Sequence, residues 1–563
     1  MRASLRGSLI VLLSACSARA GGGGGGGGFD DVPSADARDV TVTPDATVTP
    51  DATVTPDVIA SPDAMVTPDV MVTPDVMVTP DVMVTPDVMV TPDVMVTPDV
   101  ATTCSGWSLS PAALSLALPS GHAAGSFQRT YAGDFDCSQR PGTTLFNTLD
   151  LEGDQRLDVL ITSRCGAAPS PQWTAHTWTG PSLSLATRPL SLPSEFAAGT
   201  FDLPIAGATL CTRAPTRPAY YEWDYTGDRR LDLVLFGQCG DASVGSSRWR
   251  VFRGTDAGFV AGSDFTLPTG YPSGSLGAMS IVQTCAGSTA NLRGEAFSDF
   301  ERDGLPDLTV FSTCDDPSVG TTHWRIHRNT GSGFAQTPTR WTLPSGFAPR
   351  TFASSVGTGA CPSSPANFTV YDIDGDGRRD LVMMGLCADP AVGTAYWNVH
   401  RNTGSGFADT PTRWALPSGY GADAFNVFRN PLISCASGRG SVRYLTLDVD
   451  FDGRVDLLVT EDCAAPAIGT THWKLHRNTG SGFSDAATLI ALPPGQPTGT
   501  FAAPTSFVTT IPSAFDCRAT PDRPGLAVID VDGDRALDLL FYQRCADASI
   551  GTTSWRLHRG ACR

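Results

Sequence analysis

From residue 104 onwards the chain is a succession of short runs in which apolar and polar residues alternate, separated by Gly, Pro, Asn-Thr-Gly and Asp-Gly. Alternation with a period of two marks a β-strand with one face covered, and the separators are turn formers. One unit of the pattern holds about four such runs; within 442–492 they are 442–448, 455–459, 471–476 and 488–492. No amphipathic helix of useful length intervenes. The unit recurs six times at intervals of about 75 residues, and each time a β-run leads into an acidic nine-residue loop. A period of this length predicts stacked or radially arranged units.

The six loops read DLEGDQRLD, DYTGDRRLD, DFERDGLPD, DIDGDGRRD, DVDFDGRVD and DVDGDRALD. Positions 1, 3, 5 and 9 are Asp150, Glu152, Asp154 and Asp158 in the first, and Asp224, Thr226, Asp228 and Asp232 in the second. They are Asp299, Glu301, Asp303 and Asp307 in the third, and Asp372, Asp374, Asp376 and Asp380 in the fourth. In the fifth they are Asp448, Asp450, Asp452 and Asp456, and in the sixth Asp530, Asp532, Asp534 and Asp538. Oxygen donors at this spacing in a tight loop suit a hard cation, so up to six calcium ions are expected. The loop is not an EF-hand, which ends in a bidentate Glu at position 12 between helices; here position 9 feeds into a strand. The fourth loop has a full acidic set with Gly375 and Gly377, whereas the second has Thr226 and Arg229, and ranks weakest.

Of the fourteen cysteines that follow Cys16, twelve keep the same register. Cys137, Cys211, Cys285, Cys361, Cys435 and Cys517 each precede a loop, and Cys165, Cys239, Cys314, Cys387, Cys463 and Cys545 each stand seven residues after position 9. If the loop is a hairpin tip, both cysteines lie at the open end, which predicts one bridge per repeat in an oxidising compartment; pairing between neighbouring repeats is the alternative. Each bridge closes about 28 residues and contributes roughly 3 kcal/mol on the chain-entropy model. Cys104 and Cys562 are left at the two ends of the array. HRGACR at 558–563 stops midway through the motif that runs on as HRNTGSGF at 400–407, and Ser105, Gly106 and Trp107 resume it. The first strand therefore completes the last repeat, with a Cys104–Cys562 bridge where the hairpin is cut. A ring has this property and a linear array does not, so the expected fold is a six-bladed β-propeller closed by a shared last blade, spanning 101–563.

The first hundred residues are different in kind. MRASLRGSLIVLLSAC has a basic start and a short apolar run, the layout of a secretory signal, too short to span a bilayer. Its end, Leu13-Ser14-Ala15-Cys16, resembles the lipobox of bacterial lipoprotein signal peptides. The resemblance implies cleavage of residues 1–15, acylation of Cys16, and anchoring at the outer membrane or cell surface. Residues 16–100 carry eight consecutive glycines and a VTPDVM-type hexapeptide tract. Proline at every sixth residue sustains neither helix nor central strand, so a disordered, extended stalk with a reach approaching about 200 Å is expected.

The net charge of −18 divides along the same boundary. Residues 29–99 hold fourteen Asp against one Arg, and the six loops hold 23 further acids, so acidity reads as stalk and metal donors. No basic stripe with interleaved aromatics is present, which argues against nucleic acid as a partner.

The acidic loop with its following β-run and the NTGSGF element together resemble FG-GAP/VCBS-type repeats, as in integrin α-subunit propellers. The resemblance covers 104–563 and implies calcium at positions 1, 3, 5 and 9, with a backbone carbonyl at 7. It also implies ligand recognition and adhesion, commonly on the face away from the metals. The repeats are longer than usual, number six rather than seven, and lack the literal Phe-Gly…Gly-Ala-Pro string. The strand motif THWRIHR, at 322–328 and again as THWKLHR at 471–477, sends His323, Arg325 and His327 to one face and Trp324 and Ile326 to the other. It reads either as a ring of repeated His/Arg/Trp binding sites or as Trp packing between blades with His and Arg solvated; the second is the expectation. No nucleophile constellation stands out. The chain is expected to be a monomeric, lipid-anchored binding module for a glycan or protein partner, with a structural envelope scaffold or a propeller polysaccharide hydrolase or lyase as alternatives.

Overall fold

The computed structural model describes residues 106–128, 141–180, 182–202, 218–278, 280–284, 291–357, 366–426, 442–504 and 524–562. The expected signal, lipid anchor at Cys16 and stalk lie outside them. The described chain is an all-β, six-bladed β-propeller built of small antiparallel sheets.

Each of the first five blades draws its strands from one repeat, innermost first. Blade one is Thr144–Leu149, Asp158–Arg164, Gln172–His176 and Arg188–Ser191. Blade two is Ala219–Trp223, Asp232–Gly237, Arg248–Phe252 and Ser263–Thr266. Blade three is Asn291–Ser298, Asp307–Ser312, His323–His327 and Thr339–Thr342, with Ser280–Thr284 added against the first of these. Blade four is Ala366–Tyr371, Asp380–Leu386, Tyr396–His400 and Thr412–Ala415. Blade five is Val442–Leu447, Asp456–Asp462, His472–His476 and Thr488–Ala491, within a residue or two of expectation except that the second strand runs three residues further. Blade six takes Gly525–Ile529, Asp538–Gln543 and Ser554–His558 from the sixth repeat, and its outer strand is Leu114–Ala117, antiparallel with Leu116 opposite Trp555. Trp107–Leu109 pairs with Gly560–Cys562 and completes the interrupted hairpin.

The core confirms closure independently of strand pairing. Buried apolar side chains fall into six clusters, and each spans two neighbouring blades. A linear array of six would have five such interfaces; the sixth, between blades six and one, gathers Leu540 and Trp555 with Phe146 and Val159. Both faces of every sheet are thus covered by a neighbour.

At each interface one tryptophan of the third strand is fully buried and donates its indole N–H to a backbone carbonyl in the crossover to the next blade. The pairs are Trp173–Phe201, Trp249–Leu276, Trp324–Phe352, Trp397–Phe425, Trp473–Phe501 and Trp555–Phe127, at 2.7–2.9 Å. A second device stitches the blades on the outside. The NTGSGF hairpin of one blade lies parallel to the outer strand of the preceding blade, with Gly333 beside Thr266, Gly406 beside Thr342 and Gly482 beside Ala415. A Cβ on Gly406 would stand 2.6 Å from the Thr342 carbonyl oxygen, so the close approach requires glycine. The following Phe334, Phe407 and Phe483 donate N–H to those same three residues at 2.8 Å.

Trp397→Phe keeps an aromatic ring but removes the shorter of two hydrogen bonds to the Phe425 carbonyl, leaving it the Tyr444 hydroxyl at 3.3 Å, and leaves a void. A loss of about 2–3 kcal/mol is expected, read as a lower urea midpoint with an unchanged m-value.

Candidate metal centres

The six acidic loops share one backbone course. The position-1 carboxylate folds the loop over itself: Asp372 Oδ1 accepts N–H of Gly375 at 2.8 Å and Oδ2 accepts N–H of Gly377 at 2.6 Å. Asp150, Asp224 and Asp530 accept from the corresponding two residues, and Asp299 from Arg302 and Gly304. The position-5 aspartate accepts N–H of position 7 in every loop, as Asp376 does from Arg378 at 2.8 Å. This path needs positive φ at positions 4 and 6. Loop four has glycine at both, but Gln155 (φ 65), Arg229 (φ 65), Arg302 (φ 67), Phe451 (φ 55) and Arg535 (φ 62) adopt it as L-residues. Each such residue is held against a cost of roughly 1–2 kcal/mol.

Position 9 is the first residue of each second strand and is almost completely buried. Its Oδ1 accepts a backbone N–H from the start of the hairpin that follows the third strand: Trp178, Gly254, Asn329, Asn402, Asn478 and Gly560 donate at 2.7–3.0 Å. Burial pushes the carboxyls of Asp158, Asp380, Asp456 and Asp538 up to about 8 and that of Asp232 to about 6, and raises Asp307 well above the ordinary range. Asp372 and Asp530 are raised to about 7, again chiefly by burial.

The side-chain donors converge unequally. Three carboxylates come within 4.8 Å of one another in loop four (Asp372, Asp374, Asp380), loop five (Asp448, Asp450, Asp452) and loop six (Asp530, Asp532, Asp538). Among the described residues, loops one to three form no such group. Each of the three convergent loops also holds a buried carboxylate oxygen with no hydrogen-bond donor: Asp380 Oδ2, Asp450 Oδ1 and Asp532 Oδ1. A buried anionic oxygen without a donor is costly unless a cation faces it, so these residues fit a hard dication. The arginine that precedes the hairpin fixes the position-3 side chain in loops three to six: Arg328 pairs with Glu301, Arg401 with Asp374, Arg477 with Asp450, and Arg559 with Asp532. In loop one Glu152 pairs instead with Arg188 of the outer strand.

Neighbouring loops touch. Asn478 reaches from the hairpin of blade five to donate to Ile373 O of loop four at 2.7 Å and to Val455 O of its own loop at 2.9 Å. Arg454 Nε of loop five donates to Asp374 O at 3.2 Å, and Arg302 of loop three to Asp376 O at 2.7 Å. Neither the hairpin Asn nor the Arg before it was singled out from the sequence, although both recur with the loop period.

The histidines require a correction. His327, His400, His476 and His558 are buried rather than solvated, and each donates its Nδ1–H to a backbone carbonyl 2.7–2.9 Å away. Burial lowers the pKa of all four. His327 and His476 are further capped from the preceding blade by Tyr271 and Tyr420 hydroxyls at 2.8 and 2.7 Å. They are interface groups, as the tryptophans are. In the cysteine pairs, Cys104, Cys137, Cys211, Cys285, Cys361, Cys435 and Cys517 lie outside the described residues.

Glu295 breaks the sixfold pattern. It faces the interface of blades three and four, at a position held by Asn147, Tyr221, Thr369, Leu445 and Ala527 in the other blades. Its carboxyl accepts from Ser355 at 3.0 Å and Ser298 at 3.2 Å, and burial pushes it up to about 7 in spite of Arg379 nearby.

No family model matches the chain, and no curated protein matches it. Among solved structures it is similar to a chain of the Photorhabdus luminescens Tc holotoxin pore, at 14% identity and a TM-score of 0.41 over 81% of this chain; it spans 15% of that chain's length. It is also similar to an Agrocybe aegerita lectin described as recognising non-reducing terminal N-acetylglucosamine, at 15% identity and a TM-score of 0.36 over 71% of this chain and 74% of that one. At these values the likenesses carry no functional argument.

Two measurements follow from this geometry. Gln155→Gly relieves a left-handed L-residue at an exposed loop position, and a gain of about 0.5–1 kcal/mol in denaturant unfolding is expected. For Glu295 the folded pKa lies above the unfolded one, so its contribution is fully present below about pH 4.5 and is lost as pH rises to about 7. Glu295→Gln should remove that part of the pH dependence and gain roughly 2–3 kcal/mol at pH 8 relative to pH 4.5; an unaltered pH profile of the melting temperature contradicts it.

Proposed function

We propose that the chain is a surface-displayed, calcium-stabilised β-propeller lipoprotein that serves as a binding or adhesion module for a glycan or protein partner. The observation that carries the calcium assignment is the coincidence, in loops four, five and six, of three convergent carboxylates with a buried carboxylate oxygen that has no donor. Asp372, Asp374 and Asp380 hold the first ion, Asp448, Asp450 and Asp452 the second, and Asp530, Asp532 and Asp538 the third. The role of the metal is to hold the loops, because an ion bound only by the folded chain stabilises it by linkage.

Export and anchoring follow from the lipobox-like end at Cys16, and the Thr/Pro/Asp-rich tract sets the propeller clear of the membrane. An oxidising location accords with the cysteines, for which one bridge per repeat with Cys104–Cys562 at the closure is the pairing that fits the register. The partner meets the face opposite the acidic loops. There the turns between second and third strands carry repeated, partly exposed ion pairs, Asp241–Arg248, Asp316–Arg325 and Asp547–Arg556.

Two assays test the two halves of the proposal. In the melt, EGTA should lower the transition temperature relative to calcium, with about 2.7 kcal/mol lost for each site held at a hundred times its Kd; an unchanged melt removes the metal. On a glycan array and on intact cells, saturable binding by the folded chain establishes the module, and absence of binding leaves a structural scaffold.

A further inference from the structure

We propose that the cation sites of loops four and five are energetically coupled, so that filling either one strengthens the other. The inference rests on the calcium reading of these two loops. It is carried by the Asn478 side chain, which is 7% exposed and hydrogen-bonds both loops at once.

Asn478 is tied to its own site through the backbone. Its N–H donates to Asp456 Oδ1 at 2.7 Å, and the preceding Arg477 pairs with Asp450, a member of the loop-five carboxylate group. Its amide then crosses to Ile373 O in loop four, the peptide between two of that loop's donors, Asp372 and Asp374. Arg454, immediately after Gly453, makes the second crossing, to the carbonyl of Asp374 itself. An ion that draws Asp448, Asp450 and Asp452 together therefore fixes Asn478 and Arg454, and these fix the backbone on which Asp372 and Asp374 are mounted. Ordering that one ion has already produced is not required again of the next, and this is positive coupling without a change of fold. The corresponding hairpin position is Gly560 in blade six, which has no side chain to make this crossing to loop five.

The test titrates the full chain with calcium alone by isothermal calorimetry, with loop six silenced by Asp532→Ala and Asp534→Ala. Two ions are expected. Silencing loop four with Asp374→Ala and Asp376→Ala should weaken the ion at loop five by about fivefold or more, and silencing loop five with Asp450→Ala and Asp452→Ala should weaken the ion at loop four by the same factor, since coupling is reciprocal. Asn478→Leu should leave two ions bound and bring that factor close to one, a change that a merely structural asparagine would not produce. Because Asn478 is buried, Arg454→Leu repeats the test from a half-exposed position and should reduce the factor in the same direction. Equal affinities with and without the neighbouring site overturn the coupling and leave the calcium reading standing. No calcium uptake by the parent chain overturns both.

Discussion

The structure depends on a carboxylate buried at the first residue of each second strand. That residue starts the sheet, closes the acidic loop behind it and accepts the N–H that opens the next hairpin, 22 residues away in five blades and 20 in the first. A buried carboxyl is expensive to desolvate, and the fixed N–H groups around it are what make it tolerable. Its satisfaction therefore demands that loop, strand and hairpin all be in place together. The hairpin so positioned is the one that lies on the preceding blade, so local order within a repeat becomes order between repeats.

From this follows the character of the ring. Six apolar interfaces, six buried tryptophans with satisfied indole N–H groups and a run of hairpin stitches all point in one sense around the axis, each blade reaching forward with its tryptophan and blades two to five reaching backward with their hairpins. The break in the chain falls inside a hairpin, where Trp107 takes over two tasks. It fills the core position that Phe334, Phe407 and Phe483 occupy, and its indole donates to Leu537 O at 2.7 Å, the carbonyl that corresponds to Val455 O beneath Asn478.

Most of this architecture was legible in the sequence because turn chemistry and alternation are local signals. The acidic loop, the strand that follows it and the interrupted motif at the two ends sufficed for blade number and closure. What misled was the inference from alternation to exposure. His327 and His476 do lie on the face opposite Trp324 and Trp473, but in a propeller that face is covered by the previous blade, so the second face is interior too. The loop motif likewise gave donor identity but not donor position: Glu152 and Glu301 match the acidic pattern, yet only the loops with Asp at position 3 bring three carboxylates together among the described residues. Glu295 was invisible because it obeys no repeat, and single departures from a period are hard to tell from surface variation.

The outer strands of the blades are only four residues long, and their exposed residues are polar or charged at most positions. An outermost strand with unpaired backbone groups is a template on which a second molecule can add its own strand. In blades one to four the neighbour's hairpin lies over one end of that strand and takes up its hydrogen-bonding groups at residues 191, 266, 342 and 415. The stitch that holds the ring together thus also leaves those four rims too short to recruit a strand from another copy, which helps such rings to be packed side by side without fusing into a continuous sheet.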